Sequence, residues 1–101
     1  MDTPIRLRGL ERREILGFEV PVADTFLSRL FGLALLPRER AGPGLLIPRC
    51  RSVHTFGMRF ALDLLFLDAD RRVIEIRRAL PPGRLIRCPD AASILELPSP
   101  M

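Results

Sequence analysis

Residues 62–67, Leu-Asp-Leu-Leu-Phe-Leu, make the longest apolar run in the chain, and only Asp63 interrupts it. A polar stretch follows, Asp68-Ala69-Asp70-Arg71-Arg72, and then a second apolar run from Val73 to Ile76. Two strand-like runs around a short polar loop predict a β-hairpin, because Asp tolerates the tight backbone angles of such a turn. Just upstream, residues 50–58 carry the only histidine, His54, and one of the two cysteines, Cys50. The segment 50–76 is therefore where regular structure and chemically varied side chains meet.

The rest of the chain reads as support for that segment. Residues 5–10 suggest a short edge strand or a loose lead-in. From Ile15 onward, Phe18, Val20 and Val22 alternate with Gly17, Glu19 and Pro21, the pattern of a half-buried edge strand. Asp24 is placed to cap a short helix over 24–31, with Phe26, Leu27, Leu30 and Phe31 on the packing face and Ser28 and Arg29 opposite. Gly32 ends it. The composition of 37–44 is that of a loop. Strands are expected at 44–48, 52–57, 60–67, 73–78 and 93–97, with a kink at Gly57 and no clear period over 84–92. The fold class predicted is mainly β: a small antiparallel barrel or sandwich of six or seven short strands and one short helix.

A chain of 101 residues is one domain, of which 1–12 reads as a loosely ordered lead-in. No apolar run approaches the ~18 residues of a membrane span, and the charged N-terminus has no signal-peptide core, so a cytoplasmic location is expected. All 16 basic residues are arginine, and the net charge is +4. Nine arginines face four acids between positions 49 and 89, a balance that could meet an anionic partner. Scattered arginines equally keep a small β domain soluble. Six Phe with no Trp or Tyr offer few base-stacking platforms, which argues against nucleic acid. Cys50 and Cys88 lack the spacing of a zinc or redox motif. They are expected as free thiols in a reducing cytosol, with a Cys50–Cys88 bridge open to a chain that works elsewhere.

Three constellations could carry chemistry. Cys50, His54 and Met58, spaced four and four, supply the soft donors that suit Cu(I). Eight extended residues span roughly 26 Å, however, so only a sharp bend at Gly57 would gather them. His54 with Asp63 could make an oriented general base, with Thr55 or Cys50 as the nucleophile, yet neither lies in a recognisable triad context. Asp63 within its apolar run calls for a partner: an arginine such as Arg59 or Arg77, exposed amides that it caps, or a ligand at a rim shared with His54. Asp68 and Asp70 lack the glycine and terminal Glu of a calcium loop and read as a turn.

Taken together, Gly32-Leu33, Gly44-Leu45-Leu46, Cys-Arg-Ser-Val-His-Thr-Phe-x-Met (50–58), Leu-Asp-x-x-Phe-Leu-Asp (62–68), Pro81-Pro82 and Leu-Glu-Leu (95–97) follow a known order. The chain over about 15–97 resembles the bacterial and archaeal family called domain of unknown function 192. The resemblance implies a compact β-rich domain with a short helix, and it brings no activity. Many members resemble Phe-Trp-Met-Lys-Asn-Thr where this chain has residues 53–58, so Trp holds the place of His54 there. Members often continue Leu-Glu-Leu with a glycine three residues on, where this chain has Pro98-Ser99-Pro100.

The resulting reading is a non-enzymatic ligand- or partner-binding module, monomeric or weakly dimeric, with no cofactor. Cys50, His54, Thr55, Met58 and Asp63 border its site. The alternatives are a small hydrolase-like or metal-assisted enzyme centred on His54 and Asp63, and arginine-mediated nucleic-acid binding.

Overall fold

The computed structural model describes residues 4–100. Among them are eight strands and one α-helix: β1 (Arg12–Ile15), β2 (Phe18–Pro21), α1 (Phe26–Phe31), β3 (Leu45–Pro48), β4 (Ser52–His54), β5 (Leu62–Leu67), β6 (Val73–Leu80), β7 (Leu85–Arg87) and β8 (Ser93–Pro98). The expected mainly-β class holds, with β7 arising where no period was legible.

The frame is a four-stranded antiparallel sheet in the order β3-β8-β5-β6, flanked by two-stranded pairs β1-β2 and β4-β7. It does not close into a barrel, and the arrangement is that of packed sheets. Both inner strands are covered on both faces, which is why β5 reads as an almost continuous apolar run. Leu62, Leu64 and Phe66 pack into a core with Leu33, Leu45 and Ile94. Leu67, with Leu65 against it, points the other way and joins Val20, Leu46 and Leu95.

The β5–β6 hairpin forms as expected. Asp68 makes its turn: Oδ1 accepts from the amides of Asp70 (2.8 Å) and Arg72 (2.9 Å), and Arg71 adopts a φ of 66°. The pairing slips once near each end of the hairpin. Leu62 faces Leu80 while Leu64 faces Arg77, so Arg78 and Ala79 stand opposite Asp63 alone. This is a β-bulge.

Four local expectations are corrected, the last of them the face of α1. Residues 5–7 form a 3₁₀ turn in place of an edge strand. Residues 12–21 form a hairpin, β1–β2, in place of one strand from 15, because Leu16 (φ 52°) and Gly17 (φ 88°) turn the chain. The helix N-cap is Thr25, not Asp24. Its side chain accepts from the Ser28 amide while Ser28 Oγ accepts from the Thr25 amide, both at 3.1 Å, which makes a capping box.

That box sets which way α1 faces. Ser28 is fully buried, and the Arg29 guanidinium donates to the carbonyls of Pro48 and Arg49. Leu27, Leu30 and Phe31 are left 51%, 48% and 39% exposed, so the side read as polar points inward. Gly32 then ends the helix at φ 53°, ψ −126°, a region open to glycine.

Candidate functional site

Glu96 lies mid-strand in β8, paired with Leu45 of β3 on one side and Leu64 of β5 on the other. Paired residues of an antiparallel sheet project from the same face. The carboxyl therefore stands on the side of the main core, and the residue is 4% exposed. Against it lies the end of α1: a β-carbon on Gly32 would come within 3.0 Å of Glu96 Oε1. The glycine is what lets the helix end approach the acid.

Burial raises the carboxyl to a pKa of about 7, against a lowering pull from the Leu33 amide. Oε1 has no hydrogen-bond partner. It and Ser93 Oγ are the two buried side-chain atoms left unpaired among the described residues. Buried polar atoms without partners are few in native proteins, and each costs about 1–3 kcal/mol.

Glu96 floors a cleft of about 60 Å³ between the end of α1 and β4. Arg29, Cys50, Ser52 and His54 complete its polar walls, and Leu30 and Phe31 form an apolar lip. His54 is exposed and stacks on Phe56, with ring centroids 5.5 Å apart at 26°. The Cys50 thiol donates to the Ser52 carbonyl at 3.1 Å. Burial pushes this thiol up, the nearby Glu96 adds to the rise, and Arg29 pulls it down. A thiol held protonated is a poor nucleophile and a poor metal ligand.

The five sequence-derived site residues thus separate. Cys50 and His54 share the Glu96 cleft. Thr55 is fully buried, its hydroxyl donating to the Pro81 carbonyl and accepting from the Arg84 amide, each at 2.8 Å. Met58 is packed in the main core. Asp63 projects from the opposite face of the sheet, beside a cavity of about 370 Å³ lined by Phe18, Leu65, Ile76 and Leu97. Its Oδ1 accepts from the Ala79 amide at 2.8 Å, capping the bulge rather than meeting Arg59 or Arg77. Among the described residues no three His, Cys, Asp or Glu side chains are grouped to hold a metal ion. Both cysteines are free.

Glu96 received no role from the sequence. The signal was there: an acid between Leu95 and Leu97 poses the question that Asp63 poses in its own run.

Comparison with known proteins fits this fold. A solved structure of a protein of unknown function from Novosphingobium aromaticivorans aligns with a TM-score of 0.60 at 21% identity, covering 81% of this chain and 64% of that one. A UPF0127 protein of Thermococcus sibiricus is 34% identical over 83 residues, covering 78% of this chain and 54% of the relative. A second, from Thermococcus kodakarensis, is 34% identical over 65 residues, covering 60% and 41%. The chain spans about half the length of these archaeal relatives. The family model for domain of unknown function 192, described as an uncharacterized ACR, matches residues 8–100. With nearly its whole length inside that match, the chain belongs to the domain of unknown function 192 family.

Proposed function

We propose that the domain is a non-enzymatic ligand-binding module and that the cleft floored by Glu96 is its site. The observation that carries this is the unpartnered Oε1 of a buried carboxyl beside an open cleft. A ligand donor reaching it would replace a standing penalty with a charge-assisted hydrogen bond. Cys50 and His54 keep their place as wall residues of the site. Thr55, Met58 and Asp63 support the reading from behind, as the parts that fix β4, the core and the β5–β6 hairpin.

An enzyme built on His54 and Asp63 needs the two within hydrogen-bond reach, and they lie on different sides of the sheet. That weighs for binding over catalysis. No helix among the described residues is long and apolar enough to cross a membrane. Two unpaired thiols suit work in a reducing compartment such as the cytoplasm.

The test is an NMR titration of ¹⁵N-labelled protein with a mixture of small amines, amides and carboxylates. Saturable shifts at the amides of Gly32, Leu33, Cys50 and His54, lost in Glu96→Gln, are the expected result. Shifts confined to the Asp63 cavity, or none, would overturn the site.

A further inference from the structure

Resting on that reading, we propose that the Glu96 cleft recognises a primary ammonium group carried on an apolar chain, either a free alkylamine or a lysine side chain. Three features point to this chemistry. The first is charge. A carboxylate removed from water is matched best by a cation that donates hydrogen bonds. The one arginine in the cleft wall, Arg29, already directs its guanidinium to the Pro48 and Arg49 carbonyls.

The second feature is size. A cavity of about 60 Å³ holds only a few water molecules. It admits an ammonium head with a methylene behind it and excludes a whole metabolite, so the remainder of the ligand must lie outside.

The third is the lip. Leu30 and Phe31 border the opening, both partly exposed, and His54 in the wall carries the Phe56 ring stacked on it, 55% exposed. Methylenes pack on such side chains, while the Phe31 ring already faces a cation, the Arg6 guanidinium 5.7 Å from its centroid.

Proton linkage gives this inference a distinctive readout. The charged and titratable groups lining the cleft with the carboxyl are Arg29 from α1, Cys50 from the β3–β4 connection and His54 from β4; Arg6, behind the end of α1, donates to the Gly32 carbonyl at 3.1 Å and covers the Phe31 ring, and the strand partners Leu45 and Leu64 bring none. Free Glu96 titrates at about 7. An ammonium ion, protonated throughout this range, binds the carboxylate form and must displace the acid proton at lower pH.

The experiment titrates labelled protein with n-butylammonium, n-pentanoate and n-pentanamide at pH 6 and pH 8, following the ¹⁵N amides and the Glu96 side-chain ¹³C signal. Butylammonium is expected to shift Gly32, Leu33 and His54 and to bind about tenfold tighter at pH 8 than at pH 6. At saturation the Glu96 titration midpoint falls by at least one unit, and Glu96→Gln loses the response while keeping its dispersed spectrum. A parallel arm uses Nα-acetyl-lysine methylamide: tighter binding than butylammonium supports a peptide lysine as the source, and weaker binding supports a free amine. Preference for pentanoate or pentanamide at the same amides overturns the ammonium assignment and leaves the binding site standing. Silence of the cleft amides toward all three probes, with an unmoved Glu96 midpoint, overturns the ammonium assignment; the mixed-fragment titration then decides the site itself.

Discussion

Glu96 holds its proton more tightly when the chain is folded, because the folded environment withholds water from the charged form. Its pKa rises from the ordinary 4.5 to about 7. The folded state therefore gains its full advantage below about pH 4.5 and loses it as pH rises to about 7, by about 3 kcal/mol over the window. Glu96→Gln should remove this slope. Urea denaturation at pH 4, 6 and 8 is the check: the difference between the two proteins is expected to grow in favour of the variant as pH rises. A second single-residue effect lies at Gly44, where a β-carbon would sit 2.6 Å from both the Glu96 carbonyl oxygen and Leu97 Cδ2. Gly44→Ala should cost about 1–3 kcal/mol in the same assay, since backbone is one of the atoms struck.

Among the elements, the β5–β6 hairpin ties its two strands through one side chain. Asp63→Ala leaves the Ala79 amide without its acceptor and should cost about 1–3 kcal/mol. Ala79 itself sits at φ 53°, so Ala79→Gly should stabilise the fold by about 1 kcal/mol. Opposite signs at neighbouring positions, read by thermal denaturation, would confirm the bulge as built. This hairpin was legible in the sequence because two apolar runs and an Asp-rich turn agree with each other. The turn at Leu16-Gly17 was not, since leucine gives no warning of a positive φ. The face of α1 was misread for a related reason. Leu27, Leu30 and Phe31 announce a packing stripe, but Ser28 becomes buriable once Thr25 satisfies it, and no hydrophobic pattern reports that exchange. Glu96 was missed because burial of an acid depends on which strands flank it, and strand order is non-local: β8 lies between β3 and β5, far apart along the chain.

For the molecule as a whole, one sheet separates two cores, and the strands at its centre serve both. Phe66 is fully buried in the larger core. Phe66→Ala should cost about 3–5 kcal/mol, a large part of the ~5–15 kcal/mol that holds a domain together, and calorimetry should find the variant near its folding threshold. The same sheet divides the chemistry. Cys50, His54 and Glu96 gather on one side, and Asp63 serves the scaffold on the other.

The position of β8 also governs when this molecule can come into being during its synthesis. It is last among the described strands, yet it sits between β3 and β5 and pairs with both. As a chain leaves the ribosome, the β1–β2 and β5–β6 hairpins can close on their own neighbours, but the middle of the sheet is missing until residues 93–98 emerge. A chain truncated before residue 93 should stay open to protease, and one extended through residue 98 and released should lock both cores at once. The carboxyl of Glu96 arrives with that strand, so its cleft and its fold are completed in the same moment.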